Sequence, residues 1–222
     1  MQSSEPCVPA LRFAWLTPFY DFLVAATTRE KLFKRRLLQQ ASLQPGWDVL
    51  DLGCGTGTLA LWAKEIQPAA HIVGLDGNPQ IIEIARLKAR KRQCEIEFKE
   101  GLSCRLPFDD DSFDCVLSSL FFHHLAPDQK TATLAEVRRV LRPGGALYVA
   151  DWGAATGRMS RALFRSIERL DGTPNTIDHV MGRFSDYLSQ AGFQQVEIRE
   201  SFLTIYGVLS LFRGYRDSES ET

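Results

Sequence analysis

Three glycines at alternate positions, Gly53, Gly55 and Gly57, follow the apolar run Val49-Leu50-Asp51-Leu52 and lead directly into Thr58-Leu59. Glycine has no Cβ and tolerates positive φ, so main-chain N–H groups in such a turn can approach a ligand closely. This is a nucleotide-type site. A dinucleotide fingerprint needs its third glycine where Thr58 stands, which disfavours NAD. A P-loop is excluded more firmly, because no Gly-Lys-Ser/Thr follows the glycines.

Two carboxylates narrow the ligand. Asp76 closes a second apolar run, His71-Ile72-Val73-Gly74-Leu75, about 20 residues beyond the glycines, where an acid can accept hydrogen bonds from both hydroxyls of a ribose. Asp51 adds a second acid beside the turn, suiting a cationic centre and repelling a pyrophosphate. An amino acid attached to a nucleoside meets both demands, and the helix N-terminus after Gly57 could take its carboxylate. Cys54 reads as a small filler pointing into the sheet rather than a nucleophile, and Asp109 to Asp111 as a turn.

The elements that must position these residues follow from periodicity. Leu59, Trp62, Ala63 and Ile66 fall at i, i+3, i+4 and i+7, a helix burying one stripe before Pro68. Asn78-Pro79 opens the next helix, with Asn as cap and Pro at the first helical position. Glu95 to Glu100 alternates as a third strand, Asp114 to Ser119 is a fourth, Leu134, Val137 and Leu141 mark a helix, and Ala146 to Asp151 is a fifth strand. Strands separated by helices imply right-handed crossovers and a parallel sheet. Phe184 to Ala191 then reads as a helix, and Val196 to Phe202 and Thr204 to Phe212 as two strands joined too closely to be parallel. The basic run Lys31, Lys34, Arg35 and Arg36 reads as the solvated face of a helix over Arg29 to Ala41.

Composition agrees with one ordinary globular core: of 222 residues 45% are hydrophobic and 24% charged. Lys+Arg of 26 against Asp+Glu of 27 gives a net charge of -1, so no whole-molecule field draws nucleic acid or anionic lipid. Cys7, Cys54, Cys94, Cys104 and Cys115 form no CxxC pair, which fits a reduced protein with no structural metal. Arg12, Pro18 and Asp21 interrupt the apolar N-terminus, and no run reaches the roughly 18 apolar residues of a membrane span. A soluble, cytoplasmic protein is expected.

From about residue 46 to 152 five pieces occur in order: Asp51-Leu-Gly-Cys-Gly-Thr-Gly57, Asp76 after a strand, Leu106-Pro-Phe with Ser112-Phe-Asp114, Phe122-His-His-Leu125, and Arg139-Val-Leu-Arg-Pro-Gly-Gly145. Together they resemble a class I S-adenosylmethionine-dependent methyltransferase. The subgroup it is most similar to acts in ubiquinone and menaquinone biosynthesis and carries a Tyr-Asp pair, here Tyr20-Asp21, in an N-terminal lid. The resemblance implies a Rossmann-like, doubly wound α/β sheet of seven strands, mostly parallel, ending in an antiparallel hairpin. With the helix pattern before residue 42 and the polar, acidic end, the chain is expected to divide into an arm, lid and helix (1–41), a cofactor-binding domain (42–216) and a disordered tail (217–222). It places S-adenosyl-L-methionine against Asp51, Gly53, Cys54, Gly55, Gly57, Asp76, Gly77, Leu102, Ser103 and Ser118.

The family's Gly-Asp-Ala, whose acid binds the adenine amino group, is replaced by Gly101-Leu102-Ser103. Either Ser103 or a backbone group takes over, or adenine is held by apolar contact, at a loss of roughly 0.5–1.5 kcal/mol. Phe22-Leu23-Val24-Ala25-Ala26 likewise replaces the subgroup's polar and tryptophan residues after the Tyr-Asp pair. His123 could take a proton from a substrate hydroxyl or carbon acid, with a capping or packing role as the competing reading. Tyr20 could close its ring face over the sulfonium, with lid packing as its competitor.

The expected function is methyl transfer to a small aromatic or isoprenoid-like acceptor from a pocket of Trp15 to Leu23, His123-His124 and residues after Trp152. Peripheral membrane contact follows if that acceptor is lipophilic, and no nucleic-acid partner is expected. A non-catalytic cofactor-binding protein is the alternative, motivated by Leu102. An RNA methyltransferase would rest only on the two basic clusters, the one on 31–36 and that of Lys88, Arg90, Lys91 and Arg92.

Overall fold

The computed structural model describes residues 30–154, 178, 181–204 and 207–218. The expected lid around Tyr20, most of the stretch after Trp152 and the end of the polar tail lie outside the described residues. In chain order the elements are α1 (Glu30–Ala41), β1 (Asp48–Leu52), α2 (Thr58–Ile66), β2 (His71–Asp76), α3 (Pro79–Lys91), β3 (Glu97–Glu100) and β4 (Phe113–Ser119). A 3-10 turn (Phe122–His124), α4 (Pro127–Val140), β5 (Leu141–Trp152), α5 (Phe184–Gln190), β6 (Gln194–Thr204) and β7 (Gly207–Tyr215) follow.

The strands form one seven-stranded sheet in the order β3-β2-β1-β4-β5-β7-β6. The pairs from β3 to β5 are parallel, and β7 pairs antiparallel with both β5 and β6. Strand order reverses between β1 and β4, so a crevice opens beyond their carboxyl ends.

The inner strands are apolar without polar alternation because both faces are covered. Val49, Cys115, Leu117, Tyr148 and Ala150 pack with Phe33 and Leu37 of α1, Leu59 of α2 and Ile82 of α3. Their alternate neighbours Leu50, Val116, Leu147 and Val149 pack on the opposite face with Leu134 and Val137 of α4 and Phe184 and Leu188 of α5. The period-two switch of faces along each strand sorts the side chains into these two layers. At the amino ends of the strands Arg142 spans Asp48 at 2.8 Å and Asp114 at 2.5 Å, locking β1, β4 and β5 together away from the crevice.

Several boundaries differ from the periodicity. The buried residues of α2 are Leu59, Ala60, Leu61 and Ala63, while Ile66 is 56% exposed at its last position. Thr204 ends β6 instead of starting β7, and β5 begins at Leu141, directly after α4. The opening of α3 agrees with the sequence: Asn78 Oδ1 accepts from the N–H groups of Gln80 at 3.0 Å and Ile81 at 3.4 Å, and Pro79 follows. Replacing Asn78 by Ala should cost about 0.5–2 kcal/mol in urea unfolding, and by Gly only a few tenths. Equal stability of Asn78→Ala and the parent would contradict this capping role.

Candidate active site

The glycine turn leaves β1 with φ of 67° at Gly53, 53° at Gly55 and 76° at Gly57. It is strapped to the end of β2. The Leu75 carbonyl accepts from the N–H groups of both Gly53 at 2.8 Å and Cys54 at 3.0 Å. Asp76 accepts from Gly55 N through Oδ2 and from Asn78 N through Oδ1, each at 3.0 Å. A Cβ on Gly53 would stand 2.3 Å from the Phe121 ring, whereas one on Gly55 would meet nothing within 4 Å. The open side of the turn is therefore the side of Gly55.

Asp51 is buried, and its Oδ2 accepts from Ala60 N at 3.0 Å in the first turn of α2. One N–H of the helix N-terminus, that of Ala60, is thus already taken by a side-chain oxygen of the chain itself. Burial pushes the Asp51 carboxyl up to about 7, against the pull of the Lys34 ammonium and the Ala60 N–H, with Asp76 adding to the rise. Burial also raises Asp76, opposed by the N–H groups of Asn78, Gly55 and Gly77. Cys54 is a buried filler whose sulfur lies 3.1 Å from where a Cβ on Gly74 would stand. Burial, reinforced by Asp51 and Asp76, drives its thiol well above the ordinary range, so no thiolate nucleophile forms there.

Across the crevice, β4 ends in a strained segment. Leu120 has φ of 54°, an uncommon value for a non-glycine residue and one that clusters at functional sites. Its N–H bonds the Ala150 carbonyl at 2.8 Å, and this conformation turns Phe121 over Gly53. The Ser118 hydroxyl donates to the Leu52 carbonyl at 2.9 Å, a bond between β4 and β1. The neighbouring Ser119 Oγ is buried with no hydrogen-bond partner among the described residues.

Just beyond lies a buried pair. His123 Nδ1 is 2.7 Å from Asp151 Oδ1, and Asp151 also accepts from the backbone N–H of His123 at 3.2 Å and of Trp152 at 2.8 Å. Both side chains are buried, so Asp151 fixes the ring and selects its tautomer. Lys130 of α4 is fully buried nearby, its Nζ 3.9 Å from Asp178 Oδ2. Burial lowers the Lys130 ammonium's pKa, while Asp178 and Asp151 hold it up.

The expected adenine residues diverge. Leu102 is 38% exposed, whereas Ser103 is buried with its hydroxyl 2.9 Å from that of Thr133. Cys54, Cys94 and Cys115 are free thiols, but Cys104 is disulfide-bonded, unlike the fully reduced set expected. Tyr20 lies outside the described residues. The solvated-face reading of the basic helix fits Lys31, Arg35 and Arg36, which are exposed, but not Lys34, whose side chain is only 12% exposed and pairs with Glu30.

Sequence reasoning missed Asp151, Lys130, Leu120 and Lys34. Asp151 had a usable signal, since it closes an apolar strand just as Asp51 and Asp76 do. The others announce themselves only in three dimensions. Together the strapped turn with Asp51 and Asp76, and the end of β4 with Ser119, stand at the point where the strand order reverses.

A family model described as a methyltransferase domain matches residues 49–145. A demethylmenaquinone methyltransferase of Deinococcus radiodurans is 37% identical over 155 residues, covering 69% of this chain and 64% of that protein. Its counterpart from Thermus thermophilus is 36% identical over 161 residues, covering 70% of this chain and 72% of that protein. A solved SAM-dependent methyltransferase from Methanosarcina mazei shares the fold, with a TM-score of 0.64 at 22% identity over 80% of this chain and 95% of that one.

The turn's geometry separates two substitutions. Gly53→Ala and Gly55→Ala each incur roughly 1–2 kcal/mol for a left-handed residue, and Gly53→Ala should lose about 1–3 kcal/mol more through its clash with Phe121. Urea unfolding of both variants measures the difference, and equal losses would refute the packing described.

Proposed function

This chain belongs to the class I S-adenosylmethionine-dependent methyltransferases, and we propose that its acceptor is a small quinone-class molecule, an aromatic ring bearing an isoprenoid tail. The observation that carries the reading is the placement of two sites on neighbouring strands. The strapped glycine turn and its acids end β1 and β2, and the His123–Asp151 pair sits where β4 and β5 end. The quinone class is supported by relatives whose own names are demethylmenaquinone methyltransferase. The matched stretch spans 64% of the Deinococcus protein, so that acceptor is a proposal for this chain.

The roles follow from the groups present. Asp76 would hold the ribose hydroxyls, Asp51 the cationic amino end, and the open backbone at Gly55 the body of the ligand. With the Ser103 hydroxyl facing Thr133, adenine would rest on the half-exposed Leu102 by apolar contact. Bound there, the cofactor supplies a methyl group already activated on a sulfonium. The chain's own task is to align and dehydrate the acceptor, which alone contributes about 7–11 kcal/mol. His123, oriented by Asp151, would take the proton that a ring hydroxyl must lose before the ring becomes nucleophilic. No helix among the described residues is long and apolar enough to cross a membrane, so a lipophilic acceptor would be met at the surface of a bilayer.

Incubating the protein with methyl-labelled S-adenosylmethionine and a reduced demethylated naphthoquinone should place label on the ring. Label appearing only in RNA or protein would overturn the acceptor class. His123→Ala should lower kcat by about 10²–10⁴ while S-adenosylhomocysteine affinity is retained; an unchanged kcat would remove His123 from the chemistry.

The Asp51 carboxyl, pushed up to about 7, supplies a pH test. Its folded pKa lies above the unfolded value, so the folded state binds the extra proton between about pH 4 and 7 and loses stability as pH rises through that window. A cationic amino end would reverse the rise. Cofactor binding at pH 6–7 should therefore release a proton, seen as a dependence of the calorimetric heat on buffer ionisation enthalpy, and Asp51→Asn should abolish that dependence. Identical buffer dependence in both proteins would rule out this role.

A further inference from the structure

The crevice occupies the carboxyl ends of the strands, and the opposite end of the sheet holds a second cavity of about 470 Å³ that methyl transfer leaves unused. It lies where α1 ends and β5 begins, lined by Gln40, Trp47, Arg142, Tyr148, Arg213 and Tyr215. Ala146, also in its wall, precedes Asp151 by five residues along β5, about 16 Å at 3.3 Å per residue. A ligand can fill this cavity without touching the crevice.

The walls are aromatic and the charges in them are already paired. Trp47, Tyr148 and Tyr215 belong to the core on the α1 side of the sheet, and the Arg213 guanidinium lies 5.0 Å from the centroid of the Tyr215 ring. Arg142 is held by Asp48 at 2.8 Å and Asp114 at 2.5 Å, and Arg213 by Glu197. Two guanidinium groups thus face three carboxylates, so an anionic ligand would find no positive charge to spare. Two polar atoms, however, are unmatched. Gln40 Oε1, an acceptor in the last turn of α1, and Arg213 Nε, a donor on β7, are both buried without a hydrogen-bond partner among the described residues. Each carries the penalty of a desolvated polar group, which a molecule bringing one donor and one acceptor removes.

We propose that this cavity binds an uncharged, flat heteroaromatic molecule carrying an amide or lactam group, whose N–H donates to Gln40 Oε1 and whose carbonyl accepts from Arg213 Nε, with its ring among Trp47, Tyr148 and Tyr215. The volume is that of an ordinary small-molecule site and leaves room for a substituent on the ring. Because α1, β5 and β7 all contribute, such a ligand ties the helix to the sheet and, binding only the folded chain, stabilises it.

The experiment is a nuclear magnetic resonance titration of the isotope-labelled full chain with three probes, each with and without saturating S-adenosylhomocysteine. Nicotinamide carries an amide on its ring, hypoxanthine a lactam within it, and nicotinate keeps the nicotinamide ring but exchanges the amide for a carboxylate. Nicotinamide and hypoxanthine should shift the Gln40 side-chain amide and Trp47 indole signals with a Kd on the order of a millimolar, as expected for about nine or ten non-hydrogen atoms. S-Adenosylhomocysteine should leave those shifts in place, and nicotinate should bind about ten-fold more weakly, having lost its donor. Gln40→Met should weaken the first two probes about three- to ten-fold, and Arg213→Lys, which removes Nε while keeping a cation for Glu197, about ten-fold. Should Arg213→Lys fail to fold, Gln40→Met carries the test. The proposal is overturned by the absence of shifts at Gln40 and Trp47, by nicotinate binding as tightly as nicotinamide, by shifts that vanish when S-adenosylhomocysteine is present, or by unchanged affinity in Gln40→Met.

Discussion

The site depends on one carbonyl group. Leu75 O accepts the N–H groups of both Gly53 and Cys54, and Asp76, the next residue, takes that of Gly55. Three consecutive donors of the turn are thereby satisfied by the end of the adjacent strand. Glycine loses more conformational freedom on folding than any other residue, so a turn built on three of them would wander without such a strap. The register that pairs Leu52 with Leu75 brings the strap within reach. The start of α2, the open face at Gly55 and the direction of Asp76 all follow from it.

A second constraint is electrostatic. Asp51, Asp76 and Asp151 each end an apolar strand and each is satisfied by backbone N–H groups. Burial alone would force such carboxyls toward the neutral form. The Ala60 N–H and the Lys34 ammonium oppose that tendency at Asp51, and the N–H groups of Asn78, Gly55 and Gly77 oppose it at Asp76, in both cases without cancelling it. Asp51 and Asp76 thus hold their protons to higher pH than ordinary carboxyls, and a cationic ligand end would favour their ionised forms.

Much of this was legible in the sequence because it is local. The glycine spacing, the acid closing β2, the Asn78 cap and the face-switching strands all lie within short windows, where period and turn chemistry act directly. The features that escaped are those set by contacts far apart along the chain. His123 and Asp151 are 28 residues apart and meet only because β4 and β5 are neighbours. Ser103 and Thr133, 30 apart, pair through the packing of α4. Lys34 looked like its exposed neighbours because a helical pattern gives the face of a charge and not what lies beyond the helix end. Ile66 satisfied the periodic template, yet it stays exposed at the last position of α2.

The position of β7 carries a consequence for how the sheet is assembled. β7 follows every other strand in sequence but lies inside the sheet, between β5 and β6. While the chain is being synthesised, β6 emerges first and has no edge of its own to join. The long flank of β5, with its buried Tyr148 and Ala150, stays open until residues 207–215 arrive. An open apolar edge of that length is a template for pairing with other chains. The sheet is therefore completed late, by the insertion of one strand between two others.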